Sequence, residues 1–411
     1  MSEEPPKAIR IGLLGRGTVG GAFAELLAER AGAVEAATGR RPEIAGVLTR
    51  EGGDFAEILD GSDLIVELMG GTEPAREHVL AALRAGRPVV TANKQLLAQH
   101  GEELFEAARE SGVELRFEAA VAGVIPIVRV IQESFGVTEI TKVFGIVNGT
   151  TNFILTEMAA SGASYEEALS RAKELGYAEA DPTEDVNGAD AAAKMAILAR
   201  LAFHTPVTLD GVSYEGIERI EPEDLAYAKE LGLSLKLLGV AERREGGISV
   251  RVFPCFLYGG HPLAPVEGPF NAVMVEAPAI TEVTMSGPGA GGVQTASAVL
   301  GDVVTILSGD TPVHDTREEL PIVSDVASSF YLHLEVVDRP GVLARIAQAL
   351  GDHDVSVKSV VQQGTGDEAR LVMVLHECLE SRFEQALDAI DALDVLRAPP
   401  RAIRVIEEEF V

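Results

Sequence analysis

A short apolar run, residues 8–14 (AIRIGLL), passes straight into GRGTVG, Gly15 to Gly20, and from there into an Ala/Leu-rich stretch that reads as helix to about Arg30. The spacing is G-x-G-x-x-G, after a strand and opening a helix. Gly15 permits the tight turn, Gly17 lets the backbone approach a pyrophosphate, and Gly20 lets the helix pack on the strand. The helix start, with Thr18 and Val19 in its first turn, offers free N–H groups and partial positive charge to an anion. Further strand-like runs follow at residues 43–48, 63–67, 88–91 and 113–117, with helical stretches between them. That is the βαβ alternation of a doubly wound sheet. The expected class is α/β, opening with a Rossmann-type dinucleotide-binding domain over about residues 1–130.

The nucleotide side can be read further. The second strand ends Val47-Leu48-Thr49-Arg50. An NAD site usually places Asp or Glu there to hold the ribose hydroxyls. Here Arg50, with Arg16 in the glycine loop, suits a 2′-phosphate, so NADP is expected, with NAD as the alternative. The fourth strand ends Thr91-Ala92-Asn93-Lys94. Ligands of open α/β sheets sit at the carboxyl ends of strands, so Thr91 and Lys94 are candidates for the crevice. The other reading of Lys94 is a helix-start lysine in solvent. A second glycine loop, Ser286-Gly287-Pro288-Gly289-Ala290-Gly291-Gly292, precedes a helix over 293–307. Either it brings a second helix N-terminus to the cofactor, completing the first domain at about 293–310, or it is a flexible joint.

The middle of the chain carries AKELGYAEADPTEDVNGADAAAK, residues 172–194. Residues 189–201 read as a helix. Asp190 and Lys194 are four apart and share a face. Gly176, Pro182 and Gly188 mark the preceding segment as a loop that brings Glu179 and Asp181 to the start of that helix. One reading is a solvated acidic loop and a surface ion pair. Against it, residues 191–198 are small or apolar nearly all round apart from Lys194, which marks a buried helix. A buried Lys or Asp needs a partner or a job. The functional reading is a pocket of one ammonium and several carboxylates, suited to a small substrate with its own ammonium group.

Composition narrows the partners. The 411 residues are 46% apolar and 24% charged, a globular balance with room for two or three domains. The net charge of −30 speaks against nucleic acid and anionic membranes. Cys255 and Cys378 lie far apart with no metal-ligand spacing, as in a reduced cytosol. MSEEPPKAIR has no apolar signal-peptide core, and no run is long enough to span a bilayer. A cytoplasmic protein is expected.

Taken together, GRGTVG, TANK, EAAVAG (Glu118 to Gly123), NGTTNFI (Asn148 to Ile154), the 172–194 segment and GPGAGG (Gly287 to Gly292) occur in an order that resembles homoserine dehydrogenase along essentially the whole chain. No kinase-like segment precedes the glycine loop, so the monofunctional form is expected. The resemblance implies interconversion of L-aspartate 4-semialdehyde and L-homoserine with a nicotinamide cofactor. It puts Lys194 at the proton donor and acceptor position and Lys94 near both substrate and cofactor. Glu179 and Asp190 match homoserine-binding carboxylates, and Asp185 matches a neighbouring structural acid. Val19, Gly176 and Gly292 match nucleotide contacts. Glu118 with the backbone carbonyls of Val121, Gly123 and Ile125 matches a structural sodium site. The resemblance also implies a homodimer. Physically, a developing alkoxide needs a proton and a nearby positive charge, and a lysine ammonium supplies both. Homoserine oxidation, which needs the neutral amine, should therefore improve at alkaline pH.

Residues 131–292 are expected to form an α+β catalytic and dimerisation domain, and 311–328 a linker. After it, a strand over 330–337, the turn Asp338-Arg339-Pro340-Gly341, a helix over 342–350, strands over 355–362 and 369–376, a helix over 381–393 and a strand near Ile403 give the order βαββαβ. That is a ferredoxin-like unit, placed at 329–411, and with its DRPGVL turn it resembles an ACT domain. The resemblance implies an amino-acid effector, L-threonine in this pathway; a domain that only dimerises is the other reading. Two further alternatives stand at this level. Another ACT-bearing amino-acid dehydrogenase would be expected to use a catalytic histidine, and no histidine here sits in a recognisable motif. A silent amino-acid sensor would be expected to lose Lys194 or the glycine loop, and both are present.

Overall fold

Strand β1 (Lys7–Leu14) buries Ile11, Leu13 and Leu14 completely, as an inner strand of a covered parallel sheet must. Around it the computed structural model, which describes residues 7–309, 320–364, 366 and 369–406, places α1 (Thr18–Thr38), β2 (Arg40–Leu48), α2 (Phe55–Gly61), β3 (Leu64–Glu67), α3 (Ala75–Arg84), β4 (Val89–Thr91), α4 (Lys94–Ser111) and β5 (Leu115–Arg116). The strands are parallel in the order β2-β1-β3-β4-β5. The connection leaving β1 runs one way along the sheet and the one leaving β3 runs the other. The switch point, where such sheets take their ligand, is therefore between β1 and β3. Helix α1 runs past Arg30 to Thr38, because residues 31–38 keep a helical, Ala-rich pattern until Gly39, at φ 71°, closes it.

A short helix, α5 (Ile127–Arg129), leads into β6 (Lys142–Ile146), α6 (Gly149–Ser161), α7 (Tyr165–Glu174), α8 (Thr183–Val186), α9 (Ala189–Phe203), β7 (Ser213–Tyr214), α10 (Pro222–Glu230) and the strands β8 (Leu233–Arg244), β9 (Gly247–Tyr258), β10 (Phe270–Ala277) and β11 (Thr281–Pro288). The acidic stretch read as a loop contains one helical turn, α8. Asp181 precedes it and accepts the Thr183 backbone N–H at 3.2 Å, a local turn contact. Helix α9 is buried: Ala192, Met195, Ala196, Leu198 and Ala199 are fully covered, against α4 on one side and β6, β8 and β9 on another. Helix α11 (Gly292–Ser308) then returns to the first sheet, where Ala296, Val299 and Val303 share a core with Phe23 and Leu27 of α1.

The C-terminal unit is β12 (Ala327–Glu335), α12 (Val342–Asp352), β13 (Val357–Gln363), β14 (Arg370–Leu375), a two-residue β15 (Cys378–Leu379), α13 (Glu380–Asp391) and β16 (Arg401–Ile406). Of the stretch expected as a linker, 311–319 lies outside the described residues. The rest is tied down: Leu320 N donates to Thr205 Oγ1 at 3.0 Å and Val323 N to Ile248 O at 2.6 Å. The unit's sheet order is β16-β12-β14-β13, and β16 pairs parallel with β9. One sheet, β11-β10-β6-β8-β9-β16-β12-β14-β13, therefore runs through the middle of the chain into the C-terminal unit.

Candidate active site

Asp190 and Lys194 lie on one face of α9, and Lys194 Nζ donates to Asp190 Oδ2 at 2.7 Å. This is no surface pair: the side chains are 2% and 15% exposed. Asp190 sits in the first helical turn, where the helix dipole favours a carboxylate. Lys94 approaches from the other domain. Asn93 caps α4 by accepting the Leu96 N–H at 3.1 Å, which makes Lys94 the first helical residue, and its Nζ donates to Asp190 Oδ1. The solvent reading of Lys94 therefore gives way. One buried carboxylate holds two ammonium groups.

The electrostatics follow from that arrangement. Burial alone would raise the Asp190 pKa, but Lys194 and Lys94 hold it below the usual carboxylate range. Burial also works against the Lys94 ammonium, yet Asp190, with Asp185 and Glu184 behind it, keeps its pKa above the ordinary lysine value. Asp185 is pushed upward, first by burial and then by the Asp190 charge.

Two further groups complete the cluster, and sequence alone singles out neither. Asn148 caps α6 with its Oδ1, and its Nδ2 donates to Asp185 Oδ1 at 2.7 Å and Asp190 Oδ2 at 2.9 Å. The only local signal is a cap residue, which says nothing of the acids it reaches. The carbonyl of Val147 accepts from Lys194 Nζ at 2.8 Å and from Asn271 Nδ2 at 3.3 Å. Glu179 is exposed and makes no hydrogen bond or ion pair among the described residues, so the structure does not join it to this cluster. Across the cleft, Gln95 Nε2 donates to both Glu184 oxygens at 3.1 and 3.0 Å.

On the nucleotide side, Gly15 has φ 96°, and a Cβ there would lie 2.5 Å from the Leu68 carbonyl. Open space surrounds Gly17, as a backbone meant to meet a ligand requires. Gly292, at the start of α11, packs beside Thr18, so two helix N-termini converge, with Val19 in the first turn of one of them. Thr91 is buried at the end of β4. Arg16 and Arg50 are exposed, with no ion pair among the described residues. Gly176, left-handed at φ 77°, follows the end of α7, and a Cβ there would meet nothing within 4 Å.

The 118–127 turn lies against the second glycine loop: a Cβ on Gly123 would be 2.5 Å from Gly289 O. Its backbone is left-handed at Ala122 and Gly123, φ 55° and 66°. The Glu118 carboxylate accepts the N–H groups of Val128 and Arg129 at 2.8 and 2.9 Å. Ile125 O accepts from Ile127 N, whereas no backbone N–H among the described residues donates to the carbonyls of Val121 or Gly123. Among the described residues no group of three His, Cys, Asp or Glu side chains could hold a metal. An all-oxygen, mostly carbonyl set fits a hard cation and not a transition metal.

Comparison with known proteins places each part of the chain in turn. The chain matches the family models "Homoserine dehydrogenase, NAD binding domain" over residues 15–118, "Homoserine dehydrogenase" over 126–304 and "ACT domain" over 331–395. It is 44% identical to the homoserine dehydrogenase of Corynebacterium glutamicum, over 98% of this chain and 96% of that protein. The crystal structure of a homoserine dehydrogenase from Thiobacillus denitrificans superposes with a TM-score of 0.93 at 38% identity, covering 98% of this chain and 99% of that one. A hyperthermophilic archaeal homoserine dehydrogenase in complex with NADPH superposes with a TM-score of 0.65 at 27% identity, over 75% of this chain and 100% of that one.

Proposed function

The chain belongs to the homoserine dehydrogenase family, and from that premise we propose which of its residues carry the interconversion of L-aspartate 4-semialdehyde and L-homoserine. The observation that carries the assignment is the Lys94–Asp190–Lys194 cluster at the meeting of the two domains. The nicotinamide cofactor, when bound, supplies or accepts the hydride. Lys194 gives its proton to the aldehyde oxygen as that oxygen becomes an alkoxide, and in reverse takes the homoserine hydroxyl proton. Asp190 aims Lys194 through their hydrogen bond, and Lys94 provides a second positive charge on the cofactor side. Asp185 and Glu179, with Asp190, bind the substrate ammonium; Asn148 holds Asp185 and Asp190 in place.

The same reading extends to the cofactor, an ion and regulation. Gly15, Gly17, Thr18, Val19, Gly20, Thr91, Lys94, Gly176 and Gly292 contact the nucleotide, and Arg50 with Arg16 selects the 2′-phosphate of NADP. Support comes from their exposed guanidiniums and from the NADPH of the archaeal relative. Glu118, Val121, Gly123 and Ile125 hold Na+. The ACT unit takes L-threonine in a cavity of about 320 Å³ beside the Asp338–Leu343 turn. No helix of the described residues is long and apolar enough to cross a membrane. A homodimer in the cytoplasm completes the reading; light scattering that returns a monomer, or fractionation outside the cytosol, would count against it.

The test is absorbance at the reduced-nicotinamide band after L-homoserine is added to enzyme and NADP at alkaline pH. A homoserine-dependent rise is expected, falling by roughly 100- to 10,000-fold or more in Lys194→Ala. Near-normal turnover in that variant sinks the role of Lys194, and equal use of NAD sinks the cofactor preference. If exchange of sodium for tetramethylammonium leaves melting and rate unchanged, the ion assignment fails.

A further inference from the structure

Glu67 is a buried acid with no part in the chemistry above. It closes β3, is 0% exposed, and follows three fully apolar residues, Leu64, Ile65 and Val66. Among the described residues it has no cation partner, and burial pushes its carboxyl upward. A buried carboxyl among neutral groups is costly unless its hydrogen bonds are made. Here both oxygens are used. Thr91 Oγ1 donates to Oε2 at 2.6 Å, and Met69 N donates to Oε1 at 2.7 Å. The first bond reaches the end of β4 and the second the loop after β3, so the carboxyl bridges two strand ends beside the switch point of the sheet.

Each arm continues to a group already placed in the site. Thr91 Oγ1 also accepts from Asn93 N at 3.0 Å. Asn93 Nδ2 donates to Gly71 O at 2.6 Å, and Asn93 Oδ1 caps the helix that Lys94 begins. The loop after β3 presents the Leu68 carbonyl to Gly15 of the glycine turn. One side chain thus sets the distance between the backing of the nucleotide turn and the cap of the lysine helix.

We propose that Glu67 is a positioning residue of the reaction, fixing the 68–71 loop against the Asn93 cap so that the glycine turn and Lys94 are held in register. The proposal rests on the placement of Lys94 in the site. An apolar residue at position 67 would pack as well but could not hold the Thr91 hydroxyl and the Met69 amide at once. Glu67→Met keeps the length and packing but offers no acceptor to the Thr91 hydroxyl or the Met69 amide, so both arms open; Gln would not serve, since its amide N–H can donate to the Thr91 hydroxyl.

The experiment compares Glu67→Met, Lys94→Met and the double variant in the full chain. Reduced-nucleotide Kd is read by fluorescence and homoserine oxidation by kcat and KM. Glu67→Met should weaken nucleotide binding and lower kcat/KM by about 10- to 100-fold, with native circular dichroism. In the Lys94→Met background its effect on kcat should vanish while its effect on nucleotide Kd remains. Thr91→Val cuts the same bond from the other end; because Thr91 also faces the nucleotide, only its kcat is read, which should likewise lose its effect in the Lys94→Met background, and that readout carries the test if Glu67→Met does not fold. An undiminished kcat loss in the Lys94→Met background overturns the proposal, as do wild-type constants in Glu67→Met. If Lys94→Met itself turns over normally, the placement of Lys94 falls and the proposal with it. An impaired Lys94→Met beside a normal Glu67→Met overturns the proposal alone.

Discussion

Asp190 is the residue on which two cations depend, and its removal should show that in stability as well as rate. Asparagine keeps the size but offers one acceptor oxygen to two lysines. Removing one partner of a buried ion pair costs about 3–5 kcal/mol. Lys94 is 32% exposed and can turn to water, so the lower end, about 3 kcal/mol, is expected for Asp190→Asn. The pH dependence has a definite sign. The Asp190 pKa is held down in the folded state, so its contribution exists above the unfolded value of about 3.9 and fades as pH falls through the folded one. The Lys94 pKa is held up, so its contribution is complete below about 10.4 and fades only as pH rises through the higher folded value. Urea unfolding should show a constant gap between wild type and variant from about pH 4 to 10, closing outside it; no gap at neutral pH refutes the triad as a stabilising unit. The i,i+4 spacing makes Asp190 and Lys194 legible in the sequence, and a strand end makes Lys94 so. Asn148, the Val147 carbonyl and Glu67 are not, because each acts on groups brought near by the fold. Glu67 reads only as the last letter of an apolar strand.

At the level of elements, the start of α9 is held by backbone packed on backbone. Ile217 N donates to Val186 O at 2.9 Å, and a Cβ on Gly216 would lie 2.2 Å from that same oxygen and 2.6 Å from Asn187 Cα. No side chain is present there to move aside. Gly216→Ala must therefore displace the α8–α9 turn, costing about 1–3 kcal/mol as other overpacked sites do. It should lower kcat at least tenfold, because Asp190 and Lys194 ride on the displaced helix. Gly32, in α1, provides the contrast: a Cβ there would meet nothing within 4 Å, and Ala should be neutral or stabilise by up to about 1 kcal/mol. Melting temperature and kcat for the pair check this, and a Gly216→Ala variant indistinguishable from wild type removes the argument. Periodicity and glycine punctuation, which are local, make the strands of the first sheet, α9 and the βαββαβ order readable from sequence. The one-turn α8 is not, because four residues are too few for a period, and the contact of Gly216 with Val186 has no signal in either segment.

For the whole molecule, the joined sheet runs from the C-terminal unit to β9 and β8, the strands on which α9 packs. No sequence pattern announces that β16 will lie beside β9, since both read as ordinary strands and their pairing depends on how two units dock. At that seam Arg404 donates to Glu380 Oε2 at 2.9 Å and to Glu215 Oε2 at 3.2 Å, while its guanidinium lies 4.7 Å from the Phe253 ring centroid. Arg251 joins the same cluster, donating to Glu380 Oε1 at 2.6 Å and Glu242 Oε1 at 2.9 Å. Glu215 is the consequential partner: a Cβ on Gly188, the residue that opens α9, would lie 2.9 Å from its carbonyl. A shift of the C-terminal unit on binding an amino acid would therefore reach Asp190 and Lys194 through Arg404 and Glu215. Allosteric coupling of this kind is typically worth 1–3 kcal/mol, or about 5- to 150-fold. Arg404→Met keeps much of the packing and removes the charge. It should leave uninhibited turnover within about twofold, as expected for a change away from the site. If threonine is the effector, as proposed, its affinity by calorimetry should be unchanged, while its inhibition should weaken by about fivefold or more. Absence of threonine binding to the wild type would remove the effector itself. Unaltered inhibition in Arg404→Met, with binding intact, would instead show that the signal crosses between the units by another contact, with the Asp224–His333 pair under the same sheet, 3.3 Å apart, next to be cut.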